Sequence, residues 1–277
     1  MNIFQAIVLG IVEGLTEFLP ISSTGHLTIT EKVLGLQVGD AGVTAFTALV
    51  QIGAILAVLV YFRSDIIRLV TGWSRGLLHR SARSQREWRF GWYIIAGSVP
   101  IGIAGLAGKD LITSARNLWV VSGALIGWSA VMAYAEHRAT QRRDELDLRL
   151  ADAIWIGIAQ CAALIPGVSR SGATISAGLL RGLDRVTATR LSFFLSIPAM
   201  IAAGAFEAVA AAAAVNSSVG WIPTITATTV AFAVAYASIA WLLKFVAHHK
   251  ITVFIWYRIA AGILLALALT TGLITAT

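Results

Sequence analysis

Continuous apolar runs separated by short polar links dominate this chain, and they do not alternate with period two. Runs of about 20 apolar residues mark membrane-spanning helices, whereas a membrane barrel would alternate. Six runs fit, at residues 43–62, 90–107, 118–135, 191–215, 222–245 and 251–274. Two further apolar stretches are interrupted. Residues 1–19 stop at Pro20 and resume as a shorter piece at 23–36, and residues 151–165 stop at Pro166 and resume at 171–180. Proline removes a backbone donor and breaks a helix, so each pair reads as a re-entrant hairpin that reaches the midplane and returns. Broken backbone at that depth is tolerated only when buried in protein or facing a polar cavity.

The links set the orientation. Residues 63–89 carry seven arginines against Asp65 and Glu87, which predicts a cytoplasmic segment. Its amphipathic part, with Trp73, Leu77, Leu78 and Trp88, is expected on the membrane surface. The 108–117 link is short and nearly balanced in charge, and 136–149 is mixed in charge and inside. Arg181, Arg185 and Arg190 also read as inside, residues 216–220 as outside, and Lys244, His248, His249 and Lys250 as inside. Counting crossings puts the first hairpin on the outer side and the second on the inner side. Each half has one hairpin and three spans, an odd number, so the halves run in opposite directions. The expected fold is an all-α integral membrane protein. It is an inverted-topology repeat of six spanning helices plus two re-entrant helical hairpins, with residues 1–150 as the first repeat and 151–277 as the second.

Composition agrees. Of 277 residues 57% are hydrophobic, and mean hydropathy is +0.80. Only 13% are charged, against roughly 25% in a soluble domain. The net charge of +7 lies between apolar runs and does not point to nucleic acid. Cys161 is the single cysteine, so no intramolecular disulfide can form, and no metal-ligand pattern of cysteines and histidines exists. The N-terminus lacks a basic region and carries Glu13 and Glu17, so a cleaved signal peptide is not expected.

The chemistry sits in the interrupted stretches. Gly10 to Leu27 reads GIVEGLTEFLPISSTGHL, and Gly157 to Ile175 reads GIAQCAALIPGVSRSGATI. Laid 147 positions apart, Gly10 meets Gly157, Glu13 meets Gln160, Ser22 meets Ser169, Thr24 meets Ser171 and Gly25 meets Gly172. Pro20 and Pro166 fall one place out of register. The first copy is acidic with a histidine and the second carries Arg170, which suggests one composite site for an anion. Ionisable groups at membrane depth are costly and usually functional.

Pro166 to Thr174 reads as an anion cradle. Gly167 and Gly172 admit close backbone approach, and Ser169, Ser171 and Thr174 donate hydrogen bonds. Arg170 offers a permanently charged fork for phosphate oxygens, and the following half-helix points its N-terminal amides at the same place. In the first copy Glu13 and Glu17 share a helix face, as a base, a proton shuttle or ligands of a hard divalent cation. His26 titrates in the range of proton transfer, and Ser22 or Ser23 could attack phosphorus given a base. Gln51 and Gln160 read as helix ties or site supports. Arg258, about two turns inside the last span, reads as snorkelling to the inner interface, and Glu207 as interfacial. The Ala208 to Ala214 run reads as close helix packing or a spacer. A competing class shares these features: a coupled carrier also uses inverted repeats and buried carboxylates.

On the stretches Glu13 to His26 (EGLTEFLPISSTGH) and Pro166 to Thr174 (PGVSRSGAT), the chain resembles the undecaprenyl-diphosphate phosphatase, or bacitracin-resistance, family. Motif spacing and total length extend the resemblance over essentially the whole chain. It implies hydrolysis of undecaprenyl diphosphate to the monophosphate and inorganic phosphate, recycling of the carrier for cell-wall synthesis, and bacitracin resistance. Carried over by motif position, the implicated residues are Glu13, Glu17, Ser23, His26, Ser169, Arg170 and Thr174, with Ser22, Thr24, Ser171 and Gly172 added to the phosphate-binding set. On this basis Ser23 is the expected nucleophile and Glu17 or His26 its base. His26 as nucleophile, or an activated water, accounts for the same residues. Mg2+ or Ca2+ on Glu13 and Glu17 is the expected metal, with no organic cofactor. Expected partners are undecaprenyl diphosphate and membrane lipids, a homodimer is compatible with the resemblance, and nucleic acid is not expected. The implied location is the bacterial plasma membrane, multi-pass, with the pocket open to the periplasmic or outer side. The alternative is a polyprenyl-phosphate flippase or a proton-coupled anion transporter on the same fold.

Overall fold

The computed structural model describes residues 1–108, 115, 117–217 and 219–276, and the side chains of all of these except 205–214, 216 and 217. Most of the 108–117 link, the side chain of Glu207 and the Ala208 to Ala214 run therefore lie outside the described residues.

The described residues form eleven α-helices: α1 (Ile3–Thr16), α2 (Ser23–Val33), α3 (Ala41–Tyr61), α4 (Arg63–Leu78), α5 (Arg86–Ala107), α6 (Leu118–Arg138), α7 (Leu150–Gln160), α8 (Arg170–Leu180), α9 (Arg185–Ser217), α10 (Trp221–His248) and α11 (Thr252–Thr270). The protein is an all-α integral membrane protein. Helices α3, α5, α6, α9, α10 and α11 are long and apolar enough to cross a membrane, and each overlaps one of the six apolar runs. Helix α1 has 14 residues. At ~1.5 Å per residue it falls well short of a ~30 Å hydrocarbon core. A 3-10 turn, Cys161–Leu164, extends α7 only slightly.

Local chemistry explains the boundaries. Asn2 and Gln5 form a capping box at the start of α1. Asp40 caps α3 by accepting from the Gly42 and Val43 amides. The arginine-rich segment becomes the separate helix α4 plus a 3-10 turn at Arg80–Ser84. Helix α4 folds back on α5, with Gly72 against Glu87 and Gly76 against the Trp88 ring.

The halves exchange partners. Helix α1 packs on α10, and its counterpart α7 packs on α5. Helix α3 packs on both α9 and α10, and α6 packs on α11. A Cβ on Gly10 would stand 2.5 Å from the Ala227 carbonyl oxygen, and one on Gly157 would stand 2.1 Å from that of Gly97. Glycine at both positions therefore lets each short helix touch the backbone of a helix in the other half. The main core gathers Phe18, Phe62, Met132, Ile175, Leu179, Phe193 and Phe194 from both halves. Phe18 and Phe193 meet edge-on at 5.3 Å between ring centres, which fixes the turn after α1.

Candidate active site

The site forms where the two interrupted stretches meet. Helix α1 ends at Thr16, and Glu17 is its C-cap, still donating its backbone N–H to the Glu13 carbonyl at 3.0 Å. The two carboxylates therefore lie one helical turn apart. The chain then turns through Pro20 and restarts at Ser22, whose φ is +79° and whose Oγ accepts from the Gly25 amide at 3.4 Å. The second stretch repeats this backbone. Ser169 has φ +74°, caps α8, and its Oγ accepts from the Gly172 amide at 3.2 Å. A non-glycine residue in the left-handed region is strained, and such strain gathers at functional sites.

Glu17 joins the two stretches. Its Oε1 accepts from Arg170 Nη2 at 2.6 Å, and its Oε2 accepts from Ser23 Oγ at 2.5 Å. Ser171 Oγ donates to the Leu19 carbonyl at 3.0 Å and lies 3.1 Å from Ser169 Oγ. Glu13 is only 1% exposed, and its Oε1 has no hydrogen-bond partner. An orphaned carboxylate oxygen this deep is costly unless something else meets it.

The remaining predicted residues stand at different distances from this centre. Thr174 is fully buried, 2.6 Å from Ser192 Oγ and 2.8 Å from the Arg170 carbonyl, so it clamps α8 to α9. Thr24 is exposed on the first turn of α2. His26 is bonded elsewhere: Nδ1 lies 2.8 Å from the Ser22 carbonyl, and Nε2 lies 2.7 Å from the Tyr257 hydroxyl. Gln160, the counterpart of Glu13, is fully buried with both amide atoms unpartnered.

Arg258 corrects the snorkelling expectation. It is 0% exposed. Its guanidinium donates to Pro20 O (3.4 Å), Ala124 O (3.2 Å), Gly167 O (3.0 Å) and Ser129 Oγ (3.3 Å). One side chain of α11 thus ties the turns of both interrupted stretches together. Gly167 has φ +100°, and a Cβ there would stand 2.6 Å from the Val121 carbonyl oxygen, so glycine is required for this approach. The sequence did carry a signal for Arg258, a permanent charge well inside a span. Its partners, carbonyls of distant turns, left no mark in the sequence. Tyr257 left none either, since an aromatic residue in a span is ordinary.

For a hard cation the protein itself offers little beyond Glu13 Oε1. Both Glu17 oxygens are engaged, and no group of three His, Cys, Asp or Glu suited to a metal occurs among the described residues. Such donors suit a cation held by a carboxylate together with substrate phosphates, and not an all-protein cage.

Comparison with known proteins bears on this geometry. The family model described as "Bacitracin resistance protein BacA" matches residues 6–264. The chain is 57% identical over 278 residues to "Undecaprenyl-diphosphatase 3" of Frankia casuarinae, covering all of both chains. It is 54% identical over 277 residues to "Undecaprenyl-diphosphatase" of Acidothermus cellulolyticus, again covering all of both. It is 52% identical over 284 residues to the protein of that name from Cutibacterium acnes, with the same full coverage. The carboxylate and arginine that meet at Glu17 and Arg170 thus belong to a chain that is a member of the bacitracin resistance protein BacA family.

Proposed function

We propose that this protein is a membrane phosphatase. It hydrolyses undecaprenyl diphosphate to undecaprenyl phosphate and inorganic phosphate, which returns the lipid carrier to cell-wall synthesis and confers bacitracin resistance. The observation that carries the reading is the shared carboxylate. Glu17 holds a hydroxyl from one motif at 2.5 Å and the arginine of the other at 2.6 Å. Family membership and the names of the full-length relatives support it.

The roles follow from the contacts. Arg170, Ser169 and the first amides of α8 form the phosphate clamp, where charge builds in the transition state. When diphosphate oxygens compete for Arg170, Glu17 keeps Ser23 as its partner and takes its proton. Ser23 Oγ attacks the terminal phosphorus, the bridging P–O bond breaks, and undecaprenyl phosphate leaves. Water then hydrolyses the phosphoserine, releasing inorganic phosphate and returning the proton to Ser23. His26 serves proton exchange with the leaving group or that water. Glu13 would hold Mg2+ or Ca2+, which would supply further charge neutralisation.

The two short apolar helices, α1 and α7, are re-entrant in this reading. The arginine-rich segment lies in the cytoplasm, and the site opens outward. A Thr24→Cys variant in a Cys161→Ala background should react with an impermeant thiol reagent added outside intact cells. Reaction only from the inside would reverse the orientation.

The direct test is phosphate release from undecaprenyl diphosphate by detergent-purified protein. Wild type should release it, Glu17→Ala and Arg170→Ala should lose at least ~100-fold, and chelation should lower the rate. A phosphoenzyme trapped on another residue removes Ser23 as nucleophile. No release from folded protein supplied with divalent ions would favour a carrier.

A further inference from the structure

His26 and Tyr257 are 231 positions apart in sequence and meet beside the Ser22 carbonyl. A carbonyl has no proton to give, so the 2.8 Å contact with Ser22 O places a proton on Nδ1 of His26. In a neutral imidazole Nε2 is then the acceptor, and the Tyr257 hydroxyl 2.7 Å away is its donor. The two rings lie nearly parallel, 15° apart, with centres at 5.5 Å. Helix α11 delivers both contacts from adjacent residues, since Tyr257 reaches His26 and Arg258 reaches the two turns.

We propose that Tyr257 is a positioning residue for the phosphatase reaction, holding the His26 ring in the Nδ1–H tautomer with Nε2 as its basic nitrogen. The Ser22 carbonyl fixes the tautomer, and Tyr257 fixes the other nitrogen. A hydroxyl suits this role because it both donates and accepts. When Nε2 takes a proton, the Tyr257 hydroxyl turns and accepts the new N–H, so the same two oxygens hold the ring in both charge states. Phenylalanine keeps the ring contact and loses this exchange.

The inference rests on the phosphatase reading for its kinetic consequence only, because the state of the ring is measured without turnover. The experiment is nitrogen NMR of histidine-labelled full-length protein in detergent, with His26 assigned by His26→Gln. Wild type should show His26 as a single Nδ1–H tautomer. In Tyr257→Phe the Nε2 resonance should move as its hydrogen bond is lost. Phosphate release should fall about tenfold in kcat with KM nearly unchanged. A wild-type His26 carrying its proton on Nε2, an unmoved Nε2 resonance in Tyr257→Phe, or an undiminished kcat would each overturn the proposal. Absence of any phosphate release by wild type would instead overturn the phosphatase reading, with the His26 spectrum still reporting the contact.

Discussion

Two adjacent serines divide the work of the first motif. Ser22 gives its oxygen to the Gly25 amide and caps α2, whereas the Ser23 hydroxyl goes to Glu17. The sequence left either serine as nucleophile, because adjacent hydroxyls are equivalent until the backbone turns between them. The strained cap is testable at its counterpart, Ser169. Alanine there loses the bond to the Gly172 amide and keeps the left-handed strain, so it should cost ~1–2 kcal/mol. Glycine also loses the bond but relieves the strain, so it should come close to wild type. Thermal unfolding in detergent reads the difference. An alanine variant as stable as the glycine one would show that the φ of +74° carries no strain.

At the scale of elements, buried charges hold helix ends together. Arg258 adds to the direct Ser171–Leu19 bond one guanidinium bonded to the carbonyls of both the Pro20 and Gly167 turns. Arg258→Met should therefore lower the unfolding temperature and phosphate release together, by several kcal/mol in stability, since it leaves buried carbonyls unpaired at ~1–3 kcal/mol each. Arg258→Lys should recover only part, because an ammonium lacks the fork that spans both turns. A stable Arg258→Met with full activity would remove the residue from the site.

The loop end of α7, outside the six spans, uses the opposite sign of charge. Asp152 accepts from Arg143 Nη2 at 2.5 Å, Arg181 Nε at 2.8 Å and the Arg149 amide at 3.0 Å. Burial pushes its carboxyl up, but these hydrogen bonds outweigh burial and hold it below its ordinary value. A depressed carboxylate contributes stability that is complete above the unfolded value of ~3.9 and is lost as pH falls through the folded value. Asp152→Asn should therefore destabilise the protein at neutral pH and flatten its acid limb below pH ~4, as followed by thermal unfolding against pH. An acid limb unchanged by the substitution would assign the loss to other carboxylates.

For the whole molecule, the 147-position echo was legible because both copies keep their serines and glycines in register. The six spans were legible because each run is long and apolar throughout. Which helix touches which was not legible, because glycines such as Gly10 and Gly157 do not name their partners. That pairing carries a consequence. Helix α1 lies on α10 and α7 on α5, α3 lies on α9 and α10, and α6 lies on α11, so the halves are built into one another. Each half alone loses the main partner of its short helix, leaving α1 only α2 and α3 and leaving α7 only α8 and the turn that follows it. Two residues just after Ala139 are tied to the second half: Arg143 exchanges backbone hydrogen bonds with Gly182 and Asp184, and Gln141 accepts from Arg185 at 3.0 Å, while Glu145 also pairs back to Arg86. Glu136, still in the first half, receives Arg185 Nε at 3.0 Å across the join. A chain cut between residues 139 and 140 should therefore give two fragments that are inactive and aggregation-prone when made separately. Made together in one membrane, they should co-purify and release phosphate, because interhelical packing there survives the loss of one exposed link. Activity from residues 1–139 alone would show that Glu17 and Ser23 do not need Arg170. Failure of the paired fragments to associate would show that the covalent link, and not the exchange of helices, holds the site together.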